Sequence, residues 1–346
     1  MPLRTLLAAA LLLGALTALS GCGGGTPTRI MLVGDSITQG SAGDWTWRYR
    51  LWQHLRDSGA QVDLVGPWDD LYDYNAGVFG SHAYADPHFD QDHAARWGTA
   101  FTDEQPPIGT LVRRYHPDVV VEGFGVNDLV WRHETPQDTL AAARSFVEQA
   151  RATAPDVDVV LTALPQRWLA GVDEYDAGLT RLAPELSTSE SPVVVALPAQ
   201  PFVQDVDTWD AAHPSATGEV KIAAGVADAL AALGIGTPYP RPLPEVPLGP
   251  RRPAVLSAVA GPAAGEVDLS WQLPPGGTAV FVWLRHVTTR EDWVRLPIPQ
   301  PGTSFTASGL VAGDRYEFRV QAEKGTAVAS DVFSDVVTAT PGPPSG

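Results

Sequence analysis

The chain has 346 residues, of which 40 are acidic and 23 basic, for a formal net charge of -17. At roughly 150 residues per domain this length predicts about two domains, and a 44% apolar composition excludes wholesale disorder. So acidic a chain disfavours nucleic acid as a partner, and its single cysteine, Cys22, excludes both an intrachain disulfide framework and a cysteine-based zinc site.

Residues 1–21 read as an export signal and are set aside from the fold. Arg4 supplies the positive start, and Leu6 to Leu19 form an apolar stretch of about 14 residues, short of the about 20 that a membrane span needs. The segment ends in Leu19-Ser20-Gly21-Cys22, which resembles a bacterial lipobox. That resemblance implies acylation of Cys22 and a lipid anchor at the cell surface, with residues 22–27 as a flexible tether. If the lipobox is unused, the chain is a secreted protein with an ordinary signal peptide. Removing residues 1–21 takes away Arg4 and no acid, which leaves a charge of -18.

From 28 to 235 short apolar runs alternate with longer amphipathic stretches. The runs Arg29–Val33, Val62–Val65, Val119–Phe124, Val157–Leu161 and Val193–Leu197 are rich in Val and bounded by Gly, Pro and Asp, as buried parallel strands are. Residues 45–57, 103–115, 136–153, 173–187 and 215–233 read as helices, with Gly59 as a stop for the first. The alternation predicts a doubly wound, flavodoxin-like α/β fold: a five-stranded parallel sheet, helices on both faces, ligands at the carboxyl ends of the strands. Arg48 and Arg50 lie on the first helix and need no functional reading. Residues 237–253 contain seven prolines, which predicts an extended, semi-rigid linker over 236–252. Beyond it, 253–341 carries short alternating segments at Glu266–Gln272, Ala279–His286, Trp293–Pro297, Tyr316–Glu323 and Ala327–Thr338, the pattern of an all-β antiparallel sandwich.

Three blocks carry chemistry. Gly34-Asp35-Ser36 follows the first strand, where a serine on a strand-to-helix turn presents its hydroxyl and backbone N–H to one space. Gly125-Val126-Asn127-Asp128 follows the third strand. Asp210-Ala211-Ala212-His213 follows the fifth, and its spacing lets the carboxylate orient the imidazole. A second Asp-x-x-His, Asp90 to His93, lies in no such position.

In sequence and order these blocks resemble the SGNH (GDSL-type) esterase/lipase family over about residues 28–235. The resemblance implies Ser36 as nucleophile, His213 as general base and acid, and Asp210 as its orienting partner. It implies an oxyanion hole made of the Ser36 N–H, the Asn127 amide and a glycine N–H, for which Gly98 is preferred over Gly80. The stretch 66–97 is then an elaborated loop that narrows or gates the pocket. Its Asp86, His88, Asp90, Asp92 and His93 fit no standard metal motif and read as a solvated acidic loop. No metal or other cofactor is expected. Trp97, Trp131, Trp168 and Trp209 stand near strand ends, where they either stack on a sugar, line an acyl pocket or pack the loop bases. In the C-terminal part, Trp271 and the Leu310-Gly313-Tyr316 stretch resemble a fibronectin type III domain, which implies a core Trp and a Tyr bonded back to the backbone.

The expected function is therefore a surface-anchored serine esterase, acting through an acyl-enzyme on short acyl, acetyl-type esters of polysaccharide. A lipase or phospholipase acting on lipid esters is one alternative. A non-catalytic carbohydrate-binding or adhesion lipoprotein is the other. The expected partner is an acylated carbohydrate, with the membrane touched only through the N-terminal anchor.

Overall fold

A computed structural model describes residues 26–103 and 106–343. The signal segment and Cys22 lie outside the described residues, as do Glu104 and Gln105.

The first part of the chain runs β1 (Thr28–Gly34), α1 (Ser36–Gln39), α2 (Trp47–Asp57), β2 (Val62–Leu64), β3 (Leu71–Asp73), β4 (Val78–Ser81), β5 (Ala94–Ala95), α3 (Ile108–Tyr115), β6 (Val119–Gly123), α4 (Val126–Val130), α5 (Pro136–Arg151), β7 (Asp158–Thr162), α6 (Val172–Leu186), β8 (Val193–Ala196) and α7 (Ala216–Ala232). Five strands lie in the order β2-β1-β6-β7-β8, every pair parallel. Alternate residues supply two cores. Ile30, Leu32, Val119 and Val121 face one layer of helices, while Met31, Val33 and Val120 face the other. Both faces are covered, which is why the strands read as continuous apolar runs rather than alternating ones.

The structure differs from the sequence reading in three places here. The sheet has a sixth member, since β5 pairs with the carboxyl end of β1 through Val33–Ala94 and Gly34–Ala95. Two alanines carry no hydrophobic period, so pairing alone makes this a strand. The expected helix over 103–115 begins only at Ile108, because Pro106 and Pro107 disfavour the α conformation in the residues before them. The stretch 66–97 contains the antiparallel hairpin β3–β4 as well as β5.

Residues 236–253 form neither helix nor strand, and the start of this segment is tied to the helices beneath it. The Thr237 carbonyl pairs with His54 Nε2 at 2.7 Å, the Tyr239 N–H donates to Asp228, and Arg241 pairs with Asp228 at 2.7 Å.

The remaining strands are β9 (Val255–Ala260), β10 (Val267–Gln272), β11 (Ala279–His286), β12 (Val294–Arg295), β13 (Gln300–Pro301), β14 (Ser304–Ala307), β15 (Tyr316–Lys324), β16 (Ala327–Val328) and β17 (Val337–Ala339). They form two antiparallel sheets, β14-β10-β9 and β12-β11-β15-β16, with β13 and β17 pairing to β11 and β15. The two sheets share one core that includes Leu269, Trp271, Val282, Phe318 and Val320. The Tyr316 hydroxyl accepts the Val311 N–H at 3.1 Å. β9 and β14 went unseen in the sequence, and the expected run Ala327–Thr338 is instead two short strands separated by a loop. Half-exposed edge strands mix apolar and polar residues too freely to show a period.

Candidate active site

The chain leaves β1 to build β2 and returns to β6 on the other side of β1, so the crevice between the ends of β1 and β6 is the switch point of the sheet. Ser36 opens α1 directly after β1, and Asn127 lies on α4 directly after β6. Asp35 caps α1 by accepting the Ile37 N–H at 2.9 Å.

The third component arrives on the loop before α7. His213 Nε2 is 2.9 Å from Ser36 Oγ, and His213 Nδ1 is 2.8 Å from Asp210 Oδ2. The other carboxylate oxygen of Asp210 accepts the backbone N–H groups of Ala212 and His213 at 2.8 and 2.6 Å. Burial works to raise the Asp210 carboxyl, but the His213 hydrogen bond and charge, together with these N–H groups, hold it below the usual carboxylate range. It thus stays an anion facing the imidazole. The loop is braced from below, where Gln166 and Trp168 donate to the Ala212 and Ala211 carbonyls at 2.6 and 3.0 Å.

Ser36, Gly98, Asn127, Asp210 and His213 line one cleft of about 630 Å³, together with Ile37, Tyr74, Trp97, Val126, Val130, Trp131 and Leu169. Gly98 lines this cleft with φ +78°, and no described residue comes within 4 Å of a hypothetical Cβ there. The Gly80 N–H is committed to Asp70 at 2.7 Å, and Gly80 is not part of this lining. Asn127 Nδ2 donates to the Thr99 carbonyl at 2.8 Å and is 3.3 Å from Asp35 Oδ2. The second distance is long, so one amide hydrogen is only weakly held. A larger cavity of about 890 Å³, lined by Val33, Phe101, Phe124 and Phe146 among others, contains none of Ser36, His213 and Asp210.

Beneath the nucleophile lie three carboxyls. Burial pushes Asp35 up to about 7, helped by Asp128. Burial likewise raises Asp128 to about 6, and puts Glu122 well above the carboxylate range. Raised this far, Asp35 holds its proton over much more of the acidic range than an ordinary carboxyl, and in that form it competes weakly for the Asn127 amide.

Two indoles flank the imidazole. Trp97 stacks on His213 at 4.2 Å and 19°, and Trp209 does so at 5.3 Å and 18°. Trp168 serves the loop backbone, and Trp131 is 74% exposed on the rim. The acidic loop residues go separate ways. Asp86 accepts the Tyr49 hydroxyl and Asp90 the Leu64 N–H, the Asp92 carboxylate has no hydrogen-bond partner among the described residues, and His88 pairs with Asp86. His93 is buried and held neutral mainly by that burial, its ring bonded to the Asp70 carbonyl and the Ala95 N–H. Nothing in the sequence pointed to Tyr74 or Gln166, or to the complete burial of Asp35 within the Gly-Asp-Ser block, because burial and long-range contact leave no periodic signal.

Residues 32–220 match the model of the GDSL-like Lipase/Acylhydrolase family. Among solved structures the chain is similar to a carbohydrate esterase family 3 from Talaromyces cellulolyticus, with 27% identity and a TM-score of 0.51 over 60% of this chain and 97% of that one. It is also similar to an acetyl esterase mutant with an acetate ion, with 27% identity and a TM-score of 0.52 over 60% of this chain and 97% of that one.

Proposed function

Because the chain belongs to the GDSL-like lipase/acylhydrolase family and is a serine hydrolase of ester bonds, we propose that it removes short acyl groups, acetyl foremost, from polysaccharide. The observation that carries this reading is the Ser36–His213–Asp210 chain, at 2.9 and 2.8 Å, opening into a cleft whose rim bears the exposed Trp131 and Tyr74. Flat indole and phenol faces suit the apolar faces of a sugar ring. The carbohydrate esterase and acetyl esterase neighbours support the same substrate class. The net charge of -17 disfavours adsorption to anionic lipid.

In this mechanism Ser36 Oγ attacks the ester carbonyl as His213 Nε2 takes its proton. Asp210 holds the imidazole and faces the imidazolium that forms. The tetrahedral oxyanion is met by the Ser36 and Gly98 N–H groups and the Asn127 amide. His213 returns the proton to the sugar oxygen, which leaves as the free alcohol. Water, deprotonated by His213, then attacks the acyl-serine, and carboxylic acid and Ser36 are released.

The C-terminal sandwich we read as fibronectin type III-like, on the buried Trp271 and the Tyr316 hydroxyl bond. A lipid anchor at Cys22 belongs to the same proposal, on the strength of Leu19-Ser20-Gly21-Cys22. Acyl mass on the Cys22 peptide tests it.

The test of function is a panel of acetylated glycans, aryl acetates, triglycerides and phospholipids, with fluorophosphonate labelling. Labelling and turnover should vanish in Ser36→Ala while the fold persists. Full activity in Ser36→Ala overturns the site, and preference for the lipids overturns the substrate.

A further inference from the structure

The two parts of the chain meet at the catalytic loop. The turn from β15 to β16 projects from the sandwich into the hydrolase part. Lys324 on it is 6% exposed. Its Nζ lies 2.5 Å from Asp44 Oδ1, 3.3 Å from the Ala42 carbonyl and 4.9 Å from the centre of the Trp209 ring. Thr326 donates its N–H to the Trp209 carbonyl at 3.0 Å, and its hydroxyl lies 3.2 and 3.1 Å from the Thr208 and Asp205 carbonyls. The backbones touch here, since a Cβ on Gly325 would fall 1.6 Å from the Trp209 oxygen.

Trp209 is the residue before Asp210, and its ring lies parallel to that of His213. The Trp209 indole N–H is buried and without a partner among the described residues, so packing and two backbone bonds hold the residue in place: its N–H donates to the His213 carbonyl at 3.0 Å and its carbonyl accepts the Thr326 N–H. A second rim element is tied down in the same way. Tyr74 packs edge-on against Trp209 at 5.3 Å, and its neighbour Asn75 donates to the Gly277 carbonyl of the sandwich at 2.6 Å.

We propose that the C-terminal sandwich is a working part of the esterase site, with Lys324 and Thr326 as positioning residues that hold Trp209, and through it His213, in register with Ser36. This rests on the serine-esterase reading but not on the sugar as substrate. The buried ion pair across the junction sets the register of the docked parts, because any arrangement that kept one of Asp44 and Lys324 buried without the other would leave a charge uncompensated. Small errors in the placement of a general base lower turnover steeply, so the loop is where such a brace acts on rate.

The experiment uses the full chain, an aryl acetate and a fluorophosphonate, so it is independent of which glycan is the substrate. Lys324→Met keeps the stem and removes the charge. It should lower kcat and the labelling rate about tenfold with KM changed less than about twofold. Thr326→Val should act in the same direction, and Thr326→Ser should restore the rate. Val282→Ala, in the sandwich core away from the junction, should lower the melting temperature and leave kcat as it was. If Lys324→Met fails to fold, the Thr326 pair decides. Wild-type kcat in folded Lys324→Met or in Thr326→Val overturns the proposal, as does an equal loss of kcat in Val282→Ala, which would make the effect one of stability alone.

Discussion

Asp35 shows how much one carboxyl next to a nucleophile is shaped by its surroundings. It is fully buried, caps α1, and approaches the Asn127 amide. Its shift has a stability consequence of definite sign. Between the ordinary 3.8 and about 7, the unfolded chain has lost a proton that the folded chain still binds. Native stability therefore falls as pH rises across that window and levels off above it. Asp35→Asn keeps an acceptor for the Ile37 N–H and abolishes the titration. Its stability relative to the parent should climb by about 3 kcal/mol from pH 4 to 7 and then plateau, read by denaturant unfolding at stepped pH. A flat difference would mean that Asp35 ionises normally in the folded chain. The Gly-Asp-Ser block marks the nucleophile in the sequence. The protonation of its aspartate depends on Asp128 and on closure of the fold.

At the scale of elements, the excursion from 66 to 97 is the part of the hydrolase that the sequence described least. It reads as a loop because β3 and β4 are three and four residues long. Its order comes from two charged anchors. Arg48 is fully buried on α2 and donates to the carbonyls of Thr38, Gln39 and Gln91 and to the Tyr84 hydroxyl. It thus joins the nucleophile helix to the excursion, although its place in the sequence suggested nothing of the kind. Asp70 takes both oxygens to Arg96 Nη1, at 2.9 and 2.8 Å, and accepts the Gly80 N–H. Beside them, Gln39 Oε1 accepts the Trp97 N–H at 2.8 Å and so aims the indole that stacks on His213. Asp70→Ala would leave Arg96 largely buried and unpaired. A loss of about 3 kcal/mol in unfolding free energy is expected, together with faster proteolysis within 66–97. An unchanged cleavage pattern would show that the excursion is held by packing alone.

For the whole molecule, the decisive feature is that the two parts dock backbone to backbone. A Cβ on Gly276 would lie 2.2 Å from the Ala42 carbonyl, and one on Gly43 would lie 2.3 Å from that of Pro275. With φ +75°, Gly276 also has a conformation that costs a side chain strain. Gly276→Ala should therefore loosen the docking by about 1–3 kcal/mol. In calorimetry the parent should melt in one transition and the variant in two, since each part has its own core. A single transition in both would mean that the substitution is absorbed locally.

Length, charge and the spacing of apolar runs determined by themselves that there would be an α/β part followed by an antiparallel one. Buried parallel strands leave unbroken Val-rich runs, and prolines leave an unmistakable gap. The blocks around Ser36 and Asn127 were legible for a related reason: each follows directly on a strand, so its place at the sheet's carboxyl edge is a local fact, whereas the Asp210–His213 block lies on the long loop between β8 and α7 and was legible from its spacing. Only the tertiary structure decided the rest. Gly98 rather than Gly80 faces the cleft, Trp97 and Trp209 flank the imidazole, and Lys324 enters from the second part of the chain. These are contacts between residues far apart in sequence, and no local pattern encodes which surfaces will meet once both cores have closed.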